Sequence, residues 1–289
     1  MNRFKGFLAQ SGIVSKILLL IGATLFLSIV SILLWKVFNH ADMNDISSLK
    51  MLQLFQSIGT FVLPPVVLAY FWSENPQRFL HLDTKTNFSG YIYVILFMLI
   101  IIPFINLLGA LNQQLVLPES LKVVETWMKA SEAQATQFTE QLLDVHSIQG
   151  LLFNVFLIAI LPAIGEELFF RGAVQGIFTQ HKNAFVGIWL SAFIFSAIHL
   201  QFYGFFPRML LGAFFGYLLY WSGNLWLPIM AHFTNNVTAV LFYYFKNNGY
   251  QVPDIDKIGT ESTLWMGCAS AALCVFGVIF LKRQLFKTN

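Results

Sequence analysis

The sequence contains few charged residues. Asp, Glu, Lys and Arg make up 11% of its 289 residues, whereas a typical soluble domain has about 25%. Apolar residues make up 57% of the chain, so little polar surface is available to face water. This composition excludes an ordinary soluble globular protein and predicts a multi-pass integral membrane protein, which in a bacterium would lie in the plasma membrane.

Several functional classes are excluded by what is missing. The net charge is only +3, and no basic cluster is interleaved with aromatic residues, so nucleic acid is not an expected partner. The two cysteines, Cys268 and Cys274, are six residues apart in an apolar segment and point to different helix faces, which argues against a disulfide or a CxxC metal site. The sequence has no HExxH and no GxSxG motif.

Long apolar segments, by contrast, recur along the whole chain. A membrane helix needs about 20 apolar residues, and this length predicts an all-α bundle of about eight membrane helices with an intramembrane active site. The candidate segments are 16–38, 52–72, 90–112, 148–180, 184–200, 206–222, 227–246 and 262–282.

One long polar insert, 113–147, interrupts these segments. Apolar residues recur in it at helical spacing, at Leu121, Val124, Met128, Phe138 and Leu142. This pattern predicts an amphipathic helix that lies on the membrane surface or caps the bundle, or else a soluble connecting helix.

The first of three polar clusters lies within segment 148–180. A carboxylate inside a bilayer is costly, and it is therefore a functional candidate by default. Glu167 and Arg171 are four residues apart with the acid first, the favourable order for an ion pair on a helix. Glu166 points about 140° away from Arg171 around the helix. We therefore expect Arg171 to neutralise Glu167, leaving Glu166 for chemistry.

The other two clusters also place two side chains on one helix face. Phe195 lies one turn before His199, where its ring can shield the imidazole. His232 and Asn236 are four residues apart and present an imidazole and an amide together.

Glu166 and His199 lie at similar sequence distances from the polar stretch 181–183. Two antiparallel helices joined there would bring both groups to the same depth. The sequence therefore predicts that the carboxylate and this imidazole meet within the membrane.

These groups can hydrolyse an amide bond in two ways. In the favoured one, Glu166 takes a proton from a water that His199 shares or orients. His232 and Asn236 then donate hydrogen bonds to the oxyanion, and no cofactor is required. In the alternative, a catalytic zinc ion with an open position for water is bound by Glu166, His199 and His232.

In this order, the clusters resemble the motifs EExxxR, FxxxH and HxxxN of the CPBP family. These are the CAAX-processing and bacteriocin-processing intramembrane proteases, often labelled Abi. The resemblance covers roughly 148–246, with no substitution at a defining position, and the three motifs together are specific.

The resemblance implies endoproteolysis of a membrane-associated protein or peptide. In eukaryotic members the substrates are lipidated (prenylated) CAAX proteins, cut after the modified cysteine. Family members were first classed as metalloproteases, and a metal-free glutamate mechanism is the competing view. By motif position, the resemblance implies catalytic roles for Glu166, His199, His232 and Asn236, with support from Glu167, Arg171 and Phe195.

This interpretation divides the chain into three parts. We expect 1–147 to hold N-terminal membrane helices and the polar insert, 148–246 the catalytic helix core, and 247–289 a loop and the last membrane helix. Two other functions remain as alternatives: a catalytically silent bacteriocin-immunity or scaffold protein, and a proton-coupled transporter that uses Glu166 and the histidines as a relay.

Overall fold

The computed structural model describes residues 4–39, 45–181 and 183–286, and all regular secondary structure in these ranges is helical. The predicted all-α fold is therefore confirmed. In chain order, the main helices are α1 (Ile13–Asn39), α2 (Ile46–Trp72), α3 (Phe88–Ile100), α4 (Ile102–Gln113), α5 (Lys122–Leu143), α6 (Ile148–Thr179), α7 (Ala184–Ala197), α8 (Phe205–Ser222), α9 (Trp226–Asn247) and α10 (Leu264–Phe286).

Five helical stretches of the described chain are long and apolar enough to cross a membrane. Three of them are α1, α2 and α6. The other two are α8 and α10, each counted with the short helical turn before it. A sixth results if α3 and α4, which meet at a 42° bend, form one span. Pro103 at the start of α4 has no N–H for the helical ladder, which accounts for the bend. The protein is thus a multi-pass integral membrane protein.

The predicted number of about eight membrane helices is approximate. All eight predicted segments are largely helical, but two of them, now α7 and α9, are not candidate spans. Helix α7 has 14 residues, about 21 Å at 1.5 Å per residue, which is shorter than the roughly 30 Å hydrocarbon core. Helix α9 has 22 residues, but its polar side chains lower its hydropathy.

The polar insert contains a single long helix, α5, which has no glycine or proline to interrupt it. Leu142 and Leu143 at its end are buried, whereas Val124 and Phe138 of the predicted apolar stripe are exposed. Asn154 of α6 donates a hydrogen bond to Leu142 O at 2.8 Å. The exposed apolar side chains favour a position at the membrane surface over a soluble connection.

Two apolar clusters meet where the polar motifs converge. One joins α3, α8, α9 and α10 and contains Phe215. The other joins α1, α2, α6 and α7 and contains Phe170 and Phe195. On α8, Gly212 lets these layers approach, because a Cβ there would lie 3.1 Å from Phe195 Cδ1 and 3.3 Å from Arg171 Nη2.

Candidate active site

Helix α6 has an irregular backbone around its two glutamates. Segments Val155–Ile160 and Leu168–Gln175 are π-helical and flank the α-helical turn Leu161–Glu167. Because Pro162 has no N–H, it cannot donate to the carbonyl of Ile158 four residues earlier. Short π-helical segments are rare and often occur at functional sites.

The predicted contact between Glu167 and Arg171 is present. Arg171 Nη1 donates to Glu167 Oε1 at 2.7 Å, and Nη2 donates to Gly212 O at 3.1 Å. The guanidinium carbon lies 4.6 Å from the centre of the Phe195 ring and 5.3 Å from that of Phe215. Burial between aromatic faces strengthens such a contact. Both charged side chains are fully enclosed, so this pair cannot itself touch a substrate.

Glu167 has a second partner that its spacing did not predict. His232 Nδ1 lies 2.8 Å from Glu167 Oε1. Since a carboxylate only accepts hydrogen bonds, the Nδ1 atom carries the proton and donates it. This bond fixes the imidazole and leaves His232 Nε2 directed towards Glu166, whose Oε2 is 3.9 Å away.

The two glutamates differ in burial. Glu166 keeps 14% of its side chain exposed, whereas Glu167 has 0%. Phe215 stacks on the His232 ring at 5.4 Å, and Phe195 meets the same ring edge-on at 6.0 Å. Of the two glutamates, only Glu166 can therefore be reached by another molecule.

His199 lies just beyond the end of α7. Its Nδ1 is 2.7 Å from Phe195 O, so the proton is on Nδ1 and Nε2 is left as an acceptor. The Phe195 ring packs edge-on against the imidazole at 5.1 Å, as its position one turn earlier predicted. Leu200 has φ = 54°, a left-handed conformation that is strained for a branched side chain and turns the chain away after His199.

Asn236 lies one turn after His232 on α9. Its Nδ2 donates to Ile158 O at 3.2 Å, the carbonyl that Pro162 leaves without an α-helical donor. Asn236 Oδ1 accepts from Asn235 Nδ2 at 3.1 Å. An amide nitrogen carries two hydrogens, so one remains for another acceptor. Asn235 was not predicted, although its position next to Asn236 on the same helix was visible in the sequence.

The four predicted catalytic side chains line one cavity of about 1030 Å³. Glu166 comes from α6, His199 follows α7, and His232 and Asn236 lie on α9. The structure therefore brings together residues from three separate segments around one space. Phe215 and Asn235 also line this cavity and were not predicted from the sequence.

The zinc alternative requires three side chains that converge on one metal ion. Within the described ranges, no group of three His, Cys, Asp or Glu side chains is arranged to hold a metal. Since Glu166, His199 and His232 do not form such a set, we derive no catalytic step through zinc.

Comparison with known proteins gives a match to a family and to two curated relatives. Residues 148–238 match the family model "Type II CAAX prenyl endopeptidase Rce1-like". This range contains all three polar clusters. No solved structure matches the chain significantly.

The relatives are both from Bacillus subtilis (strain 168). The uncharacterized protein YpbD is 27% identical over 106 residues, covering 33% of this chain and 52% of the relative. YdiL, named as a candidate membrane peptidase, is 28% identical over 103 residues, covering 36% of this chain and 41% of the relative. The matched region thus spans about half the length of these relatives or less. Residues 148–238 therefore match the CAAX prenyl endopeptidase family, as the three motifs predicted.

Proposed function

We propose that this protein is an intramembrane endopeptidase of the CAAX type, acting on a membrane-associated protein or peptide. The observation that carries the proposal is the convergence of Glu166, His199, His232 and Asn236 on one cavity, together with the family match over the same segments. An ion-paired structural cluster would not account for a carboxylate and two imidazoles that line one cavity.

The proposed reaction begins with a water held between Glu166 and His199 Nε2. Glu166 takes one proton from the water as the oxygen attacks the carbonyl carbon. His199 accepts a hydrogen bond from the second water hydrogen and orients the molecule. Glu166 then passes its proton to the amide nitrogen as the C–N bond breaks, which balances the hydrolysis.

Two donors stabilise the oxyanion in this proposal. Asn236 supplies the Nδ2 hydrogen that Ile158 O does not use. His232 donates through Nε2, which requires a second proton on the ring because Nδ1–H is directed at Glu167. Glu167 stabilises this imidazolium, much as a buried carboxylate orients and stabilises the histidine of a serine-protease triad. Glu167, Arg171 and Phe195 are therefore positioning residues.

The proposal is tested by comparative membrane proteomics with Glu166→Gln, which keeps the side-chain volume and removes the base. We expect a trimmed C-terminal or juxtamembrane peptide in cells with the wild-type protein. Its formation should fall by roughly 10²- to 10⁴-fold in the variant, at unchanged membrane abundance. Glu140→Gln, on an exposed glutamate of α5, is the matched control and should retain the product.

Identical peptide profiles in all three strains would refute the peptidase and favour a silent immunity or scaffold protein. Proton-coupled flux in liposomes that depends on Glu166, without any cleavage product, would instead identify a transporter. If a trimmed substrate is found, its prenylated and unprenylated forms would be compared to determine whether cleavage requires the lipid.

A further inference from the structure

The cavity contains an arginine that the proposed reaction does not use. Arg208 lies in the first turn of α8 and is half-buried. It lines the same cavity as Glu166, His199 and His232. In a membrane protein, a charged side chain at such a position is a functional candidate.

The hydrogen-bond partners of Arg208 are neutral. Nη2 donates to Gln201 Oε1 at 2.6 Å, and Nη1 donates to Gln201 O at 3.3 Å. Within the described ranges, no carboxylate lies within 4.0 Å of its guanidinium, and the nearby Glu132 accepts from Tyr203 N instead. A guanidinium has five N–H donors, so most of its donor capacity is left for a ligand.

The contrast with Arg171 separates a structural role from a binding role. Arg171 is fully buried and has its own carboxylate, Glu167, at 2.7 Å. Arg208 reaches back past the start of α8 to Gln201, where the helix dipole adds positive potential. A Cβ on Gly204 would lie 3.2 Å from Arg208 Nη2, so this glycine leaves room for the guanidinium beside the backbone. The dipole favours an anion in front of Arg208.

The remaining lining of the cavity, which includes the charged residues Asp256, Lys257 and Glu261, is suited to a peptide. Polar side chains with both donors and acceptors suit the backbone of a peptide better than the acyl chains of a lipid. Those of the lining are Asn106, Gln113, Gln114, Asn235, Thr238 and Thr260.

We propose that Arg208 binds a carboxylate of the peptide substrate and thereby sets the position of the scissile bond in the cavity. This inference rests on the proposed peptidase function, but binding of the carboxylate to Arg208 can be measured without cleavage. The guanidinium would hold the carboxylate through two parallel N–H···O bonds, a geometry that lysine cannot reproduce.

The test uses full-length protein in nanodiscs with the Glu166→Gln substitution, so that bound peptide is not cut. The probe is a set of pooled random peptides. One pool has a free C-terminal carboxylate and another has a C-terminal amide. In a parallel pool, Asp and Glu are replaced by Asn and Gln. We expect the carboxylate pools to be retained roughly 10- to 100-fold more strongly. Adding Arg208→Gln should bring that ratio close to one, and Arg208→Lys should give an intermediate value.

Lys257→Gln is the matched control, because Lys257 is exposed and lines the same cavity. It should preserve the preference for carboxylates. An unchanged ratio in Arg208→Gln, with thermal stability retained, would overturn the inference. So would retention that changes only between phosphatidylcholine and phosphatidylglycerol nanodiscs, because that result identifies a lipid headgroup as the ligand. The same pools incubated with protein that retains Glu166 test the peptidase itself, so a carboxylate preference without cleavage contradicts only the proposed function.

Discussion

At the scale of single residues, Glu167 connects the charge balance of the site to its chemistry. Its Oε1 atom accepts from both Arg171 Nη1 at 2.7 Å and His232 Nδ1 at 2.8 Å. Glu167→Gln removes a buried charge and leaves Arg171 uncompensated, which should cost about 3–5 kcal/mol of stability. It should also lower peptidase activity roughly 10-fold or more, because His232 loses the partner that fixes its orientation.

The double variant Glu167→Gln/Arg171→Leu separates these two effects. It removes both charges, so the midpoint of thermal unfolding should recover towards the wild-type value. Activity should stay low, since His232 still lacks its carboxylate. If activity recovered together with stability, Glu167 would serve only to neutralise Arg171.

Several residue contacts were visible in the sequence, whereas others depend on tertiary packing. The spacing of Glu167 and Arg171 predicted their ion pair because both lie on one helix face. The bond from His232 to Glu167 joins α9 to α6, and the stack of Phe215 on His232 joins α8 to α9. Phe215 is one of 31 phenylalanines, and nothing in the local sequence distinguishes it from a lipid-facing ring.

At the scale of helices, Gly212 sets the distance between α8 and the helices that carry the motifs. Gly212→Leu should destabilise the protein by about 1–3 kcal/mol through overpacking, since even a Cβ would lie 3.1 Å from Phe195 Cδ1. The control is Gly22→Leu on α1, where an added Cβ has no atom within 4 Å. Thermal unfolding in detergent should distinguish them, and equal midpoints would show that α8 can move away at no cost.

The helix positions followed from apolar length, but the shape of α6 did not. The π-helical segments around Glu166 were not predicted, because no hydrophobic pattern specifies them. Pro162 was nevertheless a usable signal: a proline inside a membrane helix must leave a carbonyl for another donor. The amide of Asn236 supplies that donor to Ile158 O, so the third motif also stabilises the backbone of the first.

At the scale of the whole molecule, the cavity draws on parts of the chain without a recognised motif. The motifs predicted that α6, α7 and α9 would meet. They gave no information about the wall formed by other parts of the chain, to which α4 contributes Ile105 and Gln113, and the segment before α10 contributes Asp256 and Thr260. These residues lie before the motif core (148–246) or beyond its end, so local pattern could not reveal their contacts with it. The wall is where we expect substrate selectivity to differ between related proteins.

The metal content of the intact protein provides the last test of the mechanism. In the described chain, no group of three His, Cys, Asp or Glu side chains is arranged to hold a metal ion. We therefore expect purified wild-type protein and His199→Ala to contain the same, near-zero amount of zinc, and a chelator to leave wild-type cleavage unchanged. One equivalent of zinc in the wild type that is lost in both His199→Ala and His232→Ala would contradict this expectation. In that case Glu166, His199 and His232 would hold the metal, and the metal would supply the activation of water that is assigned here to Glu166 as a base.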